Sequence, residues 1–197
     1  MAAEIALTMG AKASCVDGFC GEVSRIIIDP ATDAVTHLVI EPKHRQGLGR
    51  LVPLDLVGTT AGEIGLRCTL DEFGRLEAAE ETELVDYGAE TLGVGGMNTP
   101  MGVSPPVQAY VEDIVPLGEA EVGRGEHVHA LDGPIGRVQG FLVDPGDHRL
   151  THVLLQEGHL WGRKEVAIPV GAVTGVKEGI RLNLTKKQVE DLPPAGA

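Results

Sequence analysis

The sequence predicts an all-β chain: two tandem small β-barrels, each ending in a short helical segment, joined by a Gly/Pro-rich linker. Three observations predict it. Nearly the same residues are written twice, "DPATDAVTHLVI" from Asp29 and "DPGDHRLTHVLL" from Asp144. The apolar segments are short, rich in β-branched residues and bounded by turn formers. Glycine is abundant, 27 in 197 residues, which favours turns and strands over long helices.

Extended both ways, residues 16–42 lie over 131–157 at a constant offset of 115, with Asp29 on Asp144, His37 on His152 and Gly18 and Gly21 on Gly133 and Gly136. "LVPLDLV" (51–57) then matches "AIPVGAV" (167–173) at an offset of 116, and "GLRCTL" (65–70) matches "GIRLNL" (179–184) at 114. Each copy is too long for a solenoid unit and long enough to close its own small core. The domains read as 1–85 and 121–197, with 86–120 between them.

The elements of one copy follow from local chemistry. "CGEVSRIII" and "AVTHLVI" are strands divided by "DPATD", whose Asp, Pro and Thr suit a turn, so the pair is a hairpin. "LVIEP" enters the loop "KHRQGLGR" and returns as "LVPL", a second hairpin, and "EIGLRCTL" is a further strand with Leu66, Cys68 and Leu70 alternating. "DEFGRLEAAEET" (71–82) follows in good helix formers. In the second copy Thr185 precedes Gln188 by three residues, a capping box, and Pro193 stops the helix. Closing such strands into a barrel removes the unpaired edges of a small sheet. The first half of 86–125 is rich in Gly, Pro, Met and Ser and reads as linker; "QAYVEDIVPL" (108–117) is expected to dock on the second barrel as an extra strand.

A net charge of −13 opposes non-specific binding to nucleic acid or anionic lipid. The N-terminus lacks the basic start and apolar core of a secretory signal, and no apolar run reaches the roughly 18–20 residues of a membrane span. Three cysteines suggest a reducing interior, so the expectation is a cytoplasmic protein with no membrane contact.

The succession "DG..G.V", then "DP" followed by "TH.V", then "VP" or "IP", recurring in both copies, resembles the PRC-barrel family. The resemblance covers about 16–76 and 131–192. It implies a small β-barrel of the type in the cytoplasmic domain of the photosynthetic reaction-centre H subunit and the C-terminal domain of the ribosome maturation factor RimM. It also implies docking onto a larger assembly, without a shared catalytic constellation.

Candidate chemistry is sparse. Cys15, Cys20 and Cys68 align with Ala130, Ile135 and Leu182, apolar at each place, so the thiols read as small core residues and no metal is assigned. His127 and His129 share one strand face, opposite Lys12 and Ser14 of the first copy, and read as solvated. His37 and His152 stand in both copies and read as structural, with Asp29 and Asp144 as expected partners. No serine occupies a nucleophile-elbow setting, and "GVGGMNTPMG" lacks the Lys-Ser/Thr ending of a phosphate loop.

The two loops of the second hairpins are more informative. They carry Lys43, His44, Arg45 and Arg50, and His159, Trp161, Arg163 and Lys164, holding five of the chain's 16 Lys and Arg. Trp161 is the only tryptophan, and Trp and Arg dominate binding hot spots. Lys43, Arg45, Arg50, His159, Trp161, Arg163 and Lys164 are therefore the expected partner-binding residues of a non-enzymatic docking module without cofactor. Its partner is an unknown protein or assembly, and a homo-oligomer is allowed. Two alternatives stand: an RNA- or ribosome-associated factor, with nucleic acid approached only through a ribosomal complex, and a small-molecule or metal binder using the histidines.

Overall fold

The computed structural model describes residues 4–42, 49–60, 62–85, 108–157, 165–176 and 179–193. The first copy runs through β1 (Ile5–Thr8), β2 (Lys12–Cys15), β3 (Gly18–Asp29), β4 (Ala34–Glu41) and β5 (Arg50–Pro53). A single 3-10 turn (Leu54–Leu56) leads to β6 (Val57–Thr60), β7 (Ile64–Leu66) and the helix α1 (Leu70–Gly74). β8 (Glu80–Val85) and β9 (Gln108–Asp113) then pair as a separate antiparallel ribbon.

The second copy repeats the series. It has β10 (Ala120–Gly123), β11 (His127–Ala130), β12 (Gly133–Val143), β13 (Leu150–Glu157) and β14 (Glu165–Pro169). The 3-10 turn Val170–Ala172, β15 (Val173–Gly175), β16 (Ile180–Leu182) and α2 (Lys186–Glu190) complete it.

Two seven-stranded sheets result, one ordered β5-β4-β3-β2-β7-β6 and the other β14-β13-β12-β11-β16-β15. The seventh strand of each comes from the opposite copy. β1 pairs antiparallel with β12, Leu7 facing Phe141, while β10 pairs antiparallel with β3, Val122 facing Ile26. Both registers carry the offset of 115 that relates the copies, so the exchange is reciprocal.

Length explains why the exchange is possible. β3 and β12 have 12 and 11 residues, and only their first parts pair with β2 and β11. The remaining edge accepts the exchanged strand, whose alternating pattern sends Leu7 and Val122 fully into the core. Each such burial contributes about 1.5–3 kcal/mol. Residues from both copies join one apolar cluster that includes Leu7, Ile26, Ile28, Val122, Phe141 and Val143.

The first hairpins also meet. Val35 N–H donates to the His148 carbonyl at 3.0 Å, and Leu150 N–H to Asp33 at 2.8 Å. Asp33 and His148, equivalent by the repeat, hold left-handed backbone at φ 53° and 59°. Both turns are closed by their aspartates: Asp29 Oδ1 accepts from Ala31 N–H at 2.8 Å and Asp144 Oδ1 from Gly146 N–H at 2.7 Å. The hydroxyl of Thr32 and the N–H of Ala31 hold the Asp29 carboxyl below its usual range.

The structure amends several expectations. The helix predicted over 71–82 starts at Leu70, capped by Thr69 and Glu72, and ends at Gly74, and residues 80–82 enter β8 instead. Leu70 therefore begins a helix, and the strand before it stops at Leu66. The segment expected to dock on the second copy pairs with β8 instead, and Ile114 and Val115 pack on Ile27, Val39, Leu51 and Ala79 of the first.

The last matched stretch also shifts. Arg67 N–H donates to Leu56 and Asn183 N–H to Ala172, and Thr69 and Thr185 cap equivalent helices, so the offset there is 116 and Cys68 answers to Leu184, not Leu182. Leu184 is also apolar, so the reading of Cys68 as a core residue survives. Among the described residues, no helix is long and apolar enough to cross a membrane.

Candidate functional site

The residues that both copies keep act at the exchange. His37 Nδ1 lies 3.1 Å from the Thr36 hydroxyl and 4.0 Å from Glu119, which directly precedes the exchanged strand β10. Thr36 itself donates to Glu119 at 2.6 Å. His152 repeats this with Thr151 at 3.1 Å and with Glu4, ahead of β1, at 3.6 Å. The histidines thus meet glutamates of the opposite copy, in place of Asp29 and Asp144, which close the hairpin turns. Each pair fastens the start of an exchanged strand. The signal was present in the sequence, since Glu4 and Glu119 are also separated by 115.

The copies also differ where β10 pairs with β3. There the Arg25 guanidinium pairs with Glu80 and Asp113 and lies 3.5 Å from Glu121 and 4.0 Å from Glu41. Its side chain is 11% exposed and that of Glu80 4%. Burial works against the charge of Arg25, but Asp113, then Glu121 and Glu80, outweigh it and raise its pKa. Glu121 is pushed up, chiefly by burial, with Arg25 opposing and Asp113, Glu126 and Glu80 reinforcing. Among the described residues, four carboxylates thus surround one cation at this corner. Glu80 also accepts from Gly49 N–H at 2.8 Å, so the cluster ties the β8–β9 ribbon to both β3 and β5. In the second copy the position of Arg25 is Gly140.

The predicted docking residues fall mostly outside the described residues: Lys43, Arg45, His159, Trp161, Arg163 and Lys164 all do. Arg50 is described. It is half-buried at the start of β5 and donates to the Leu76 carbonyl at 3.2 Å, alongside the segment 77–79 that bonds to the edge of β5. One arm of its guanidinium is therefore committed to the fold.

The three cysteines are buried and free, with the Cys15 and Cys68 sulfurs 3.9 Å apart. Burial pushes the Cys15 thiol up to about 12 and the Cys68 thiol to about 11, which disfavours the thiolate that metal binding or nucleophilic attack requires. His127 and His129 are exposed on one face of β11, their ring centroids 6.2 Å apart. Among the described residues no group of three or more His, Cys, Asp or Glu is arranged to hold a metal ion. Compared with known proteins, the chain matches no family model and no curated protein.

Proposed function

We propose that the chain is a non-enzymatic docking module of two PRC-barrel-like units, each closing its sheet into a small barrel. It engages a protein or assembly in the cytoplasm through the basic connections 43–50 and 158–165. The observation that supports this best is the reciprocal strand exchange. It joins both sheets into one body, so the two connections leave and re-enter at equivalent places, after β4 and β13 and before β5 and β14. Two contacts on one body bind with less entropic loss than two contacts on a flexible tether. The free thiols fit a reducing compartment.

The test uses the whole chain with Trp161→Ala and Arg163→Ala. Cross-linked pull-down from the native cell is expected to recover a defined partner set with the unaltered chain and to lose it with the double variant. Equal recovery by both would overturn the proposal. Binding that falls steeply and linearly in log–log plots against salt would instead indicate phosphate contacts and favour the ribosome-associated reading.

A further inference from the structure

A cleft of about 560 Å³ opens where the two copies meet, and among the described residues the histidine pairs take no part in it. Its inner wall is apolar: Ile28 from β3, Ala120 from the exchanged strand β10, and Phe141, Leu150, Val153 and Val170 from the second copy. Ile28, Phe141 and Val153 are each about 1% exposed, so the wall belongs to the packed core rather than to a surface loop. Its size lies within the roughly 300–1,000 Å³ of small-molecule sites, which are mostly apolar with a few polar groups at the mouth.

The walls differ between the copies. By the offsets of 115 and 116, Ala120, Val153 and Val170 answer to the larger Ile5, Leu38 and Leu54, whereas Ile28, Phe141 and Leu150 answer to the smaller Val143, Ile26 and Val35. The mouths differ as well. Across the sister position His148 of one copy reaches Asp55 of the other, Nδ1 to Oδ1 3.9 Å. Here the equivalent residues are Asp33 and Gly171, and a Cβ built on Gly171 meets nothing within 4 Å. No such bridge forms on this side, because Asp33 stands in place of the histidine and a glycine in place of the aspartate.

We propose that this cleft is a binding site for a neutral, largely apolar small molecule. The apolar wall supplies the affinity through burial. Among the described residues the mouth carries one acid and one base, the exposed Asp33 and Arg181, so no single charge dominates it. The net charge of −13 further opposes an anion. Thr174, also at the mouth, offers a hydroxyl to a polar group of the ligand, although it now donates to the Arg181 carbonyl at 3.2 Å. The site stands independently of the docking proposal, since the described residues that line it include none of those assigned to docking.

The test is fluorescence titration of the whole chain with 1-aminoanthracene, a compact neutral aromatic, and with anionic 1-anilinonaphthalene-8-sulfonate. Saturable 1:1 uptake of the neutral probe is expected, at least about tenfold tighter than the anionic one. Ala120→Ile with Val170→Leu, the sister copy's own residues, should reduce uptake at least about tenfold. Gly171→Leu, which puts a side chain where the sister copy has the Asp55 that reaches His148, should do the same and guards against a folding defect in the double variant. Absence of uptake by the unaltered chain, or undiminished uptake by Gly171→Leu with the fold intact, would overturn the site. Equal affinity for the two probes would overturn the assignment of a neutral ligand.

Discussion

Replacing Gly140 by alanine is expected to destabilise the protein by about 3 kcal/mol, the upper end of what overpacking costs. A Cβ at this position would stand 2.2 Å from the Leu7 carbonyl oxygen and 2.9 Å from the Thr8 Cα. Both obstacles are backbone atoms of β1, so no rotamer change relieves the clash, and the strand must move off β12. Moving it exposes Leu7, which is fully buried. The change is read by urea unfolding, where about 3 kcal/mol lowers the midpoint by ~1–2 M for a protein of this size. Hydrogen exchange of residues 5–8 should accelerate in parallel. Gly171→Ala is the comparison: its Cβ meets nothing within 4 Å, and stability should change by no more than about 0.5 kcal/mol.

Arg25→Met should cost about 3–5 kcal/mol, the range for breaking a buried ion pair by removing one partner. The substitution keeps much of the apolar stem and removes the one cation that, among the described residues, pairs with Glu80, Asp113, Glu121 and Glu41. Glu80, with a side chain 4% exposed, is left charged in a buried setting. Adding Glu80→Gln and Glu121→Gln to Arg25→Met should recover part of the loss, because the repulsion goes with the charges. The exposed pair Arg75 and Asp71, with side chains 75% and 74% exposed, sets the other end of the scale. Its loss should change stability by about 0.5 kcal/mol or less.

Much of the architecture was legible in the residues. "DPATD" and "DPGDH" announce the hairpins through the Asp and Pro that close them, and Thr185 with Gln188 announces the second helix. The same capping signal stands at Thr69 and Glu72, where it sets the start of α1 against the pull of the helix formers that follow, since a reciprocal cap outweighs propensity in so short a segment. The exchange was not legible. "IALT" and "AEVG" alternate equally well whether they pair within their own copy or across, since period-2 patterning specifies a face and not a partner.

For the site, the recurrence of His37 and His152 marks both residues, but nearness in sequence points to Asp29 and Asp144 within the hairpin, whereas the spatial partners are glutamates. Glu4 and Glu119 lie far from their histidines along the fold's own connectivity and reach them only through the exchange. The cleft was invisible for a related reason: it arises from small differences between the copies, Ala120 for Ile5 and Gly171 for Asp55, across a junction that the sequence does not display.

The account rests on the two sheets each borrowing a strand from the other, and the most direct measurement cuts the chain between them. A specific protease recognition sequence inserted between Gly95 and Gly96 allows cleavage after folding. Size-exclusion chromatography and native mass spectrometry should then find both fragments in one 1:1 species of undiminished size, separating only in denaturant. Two fragments that part under native conditions, each remaining folded, would contradict the exchange.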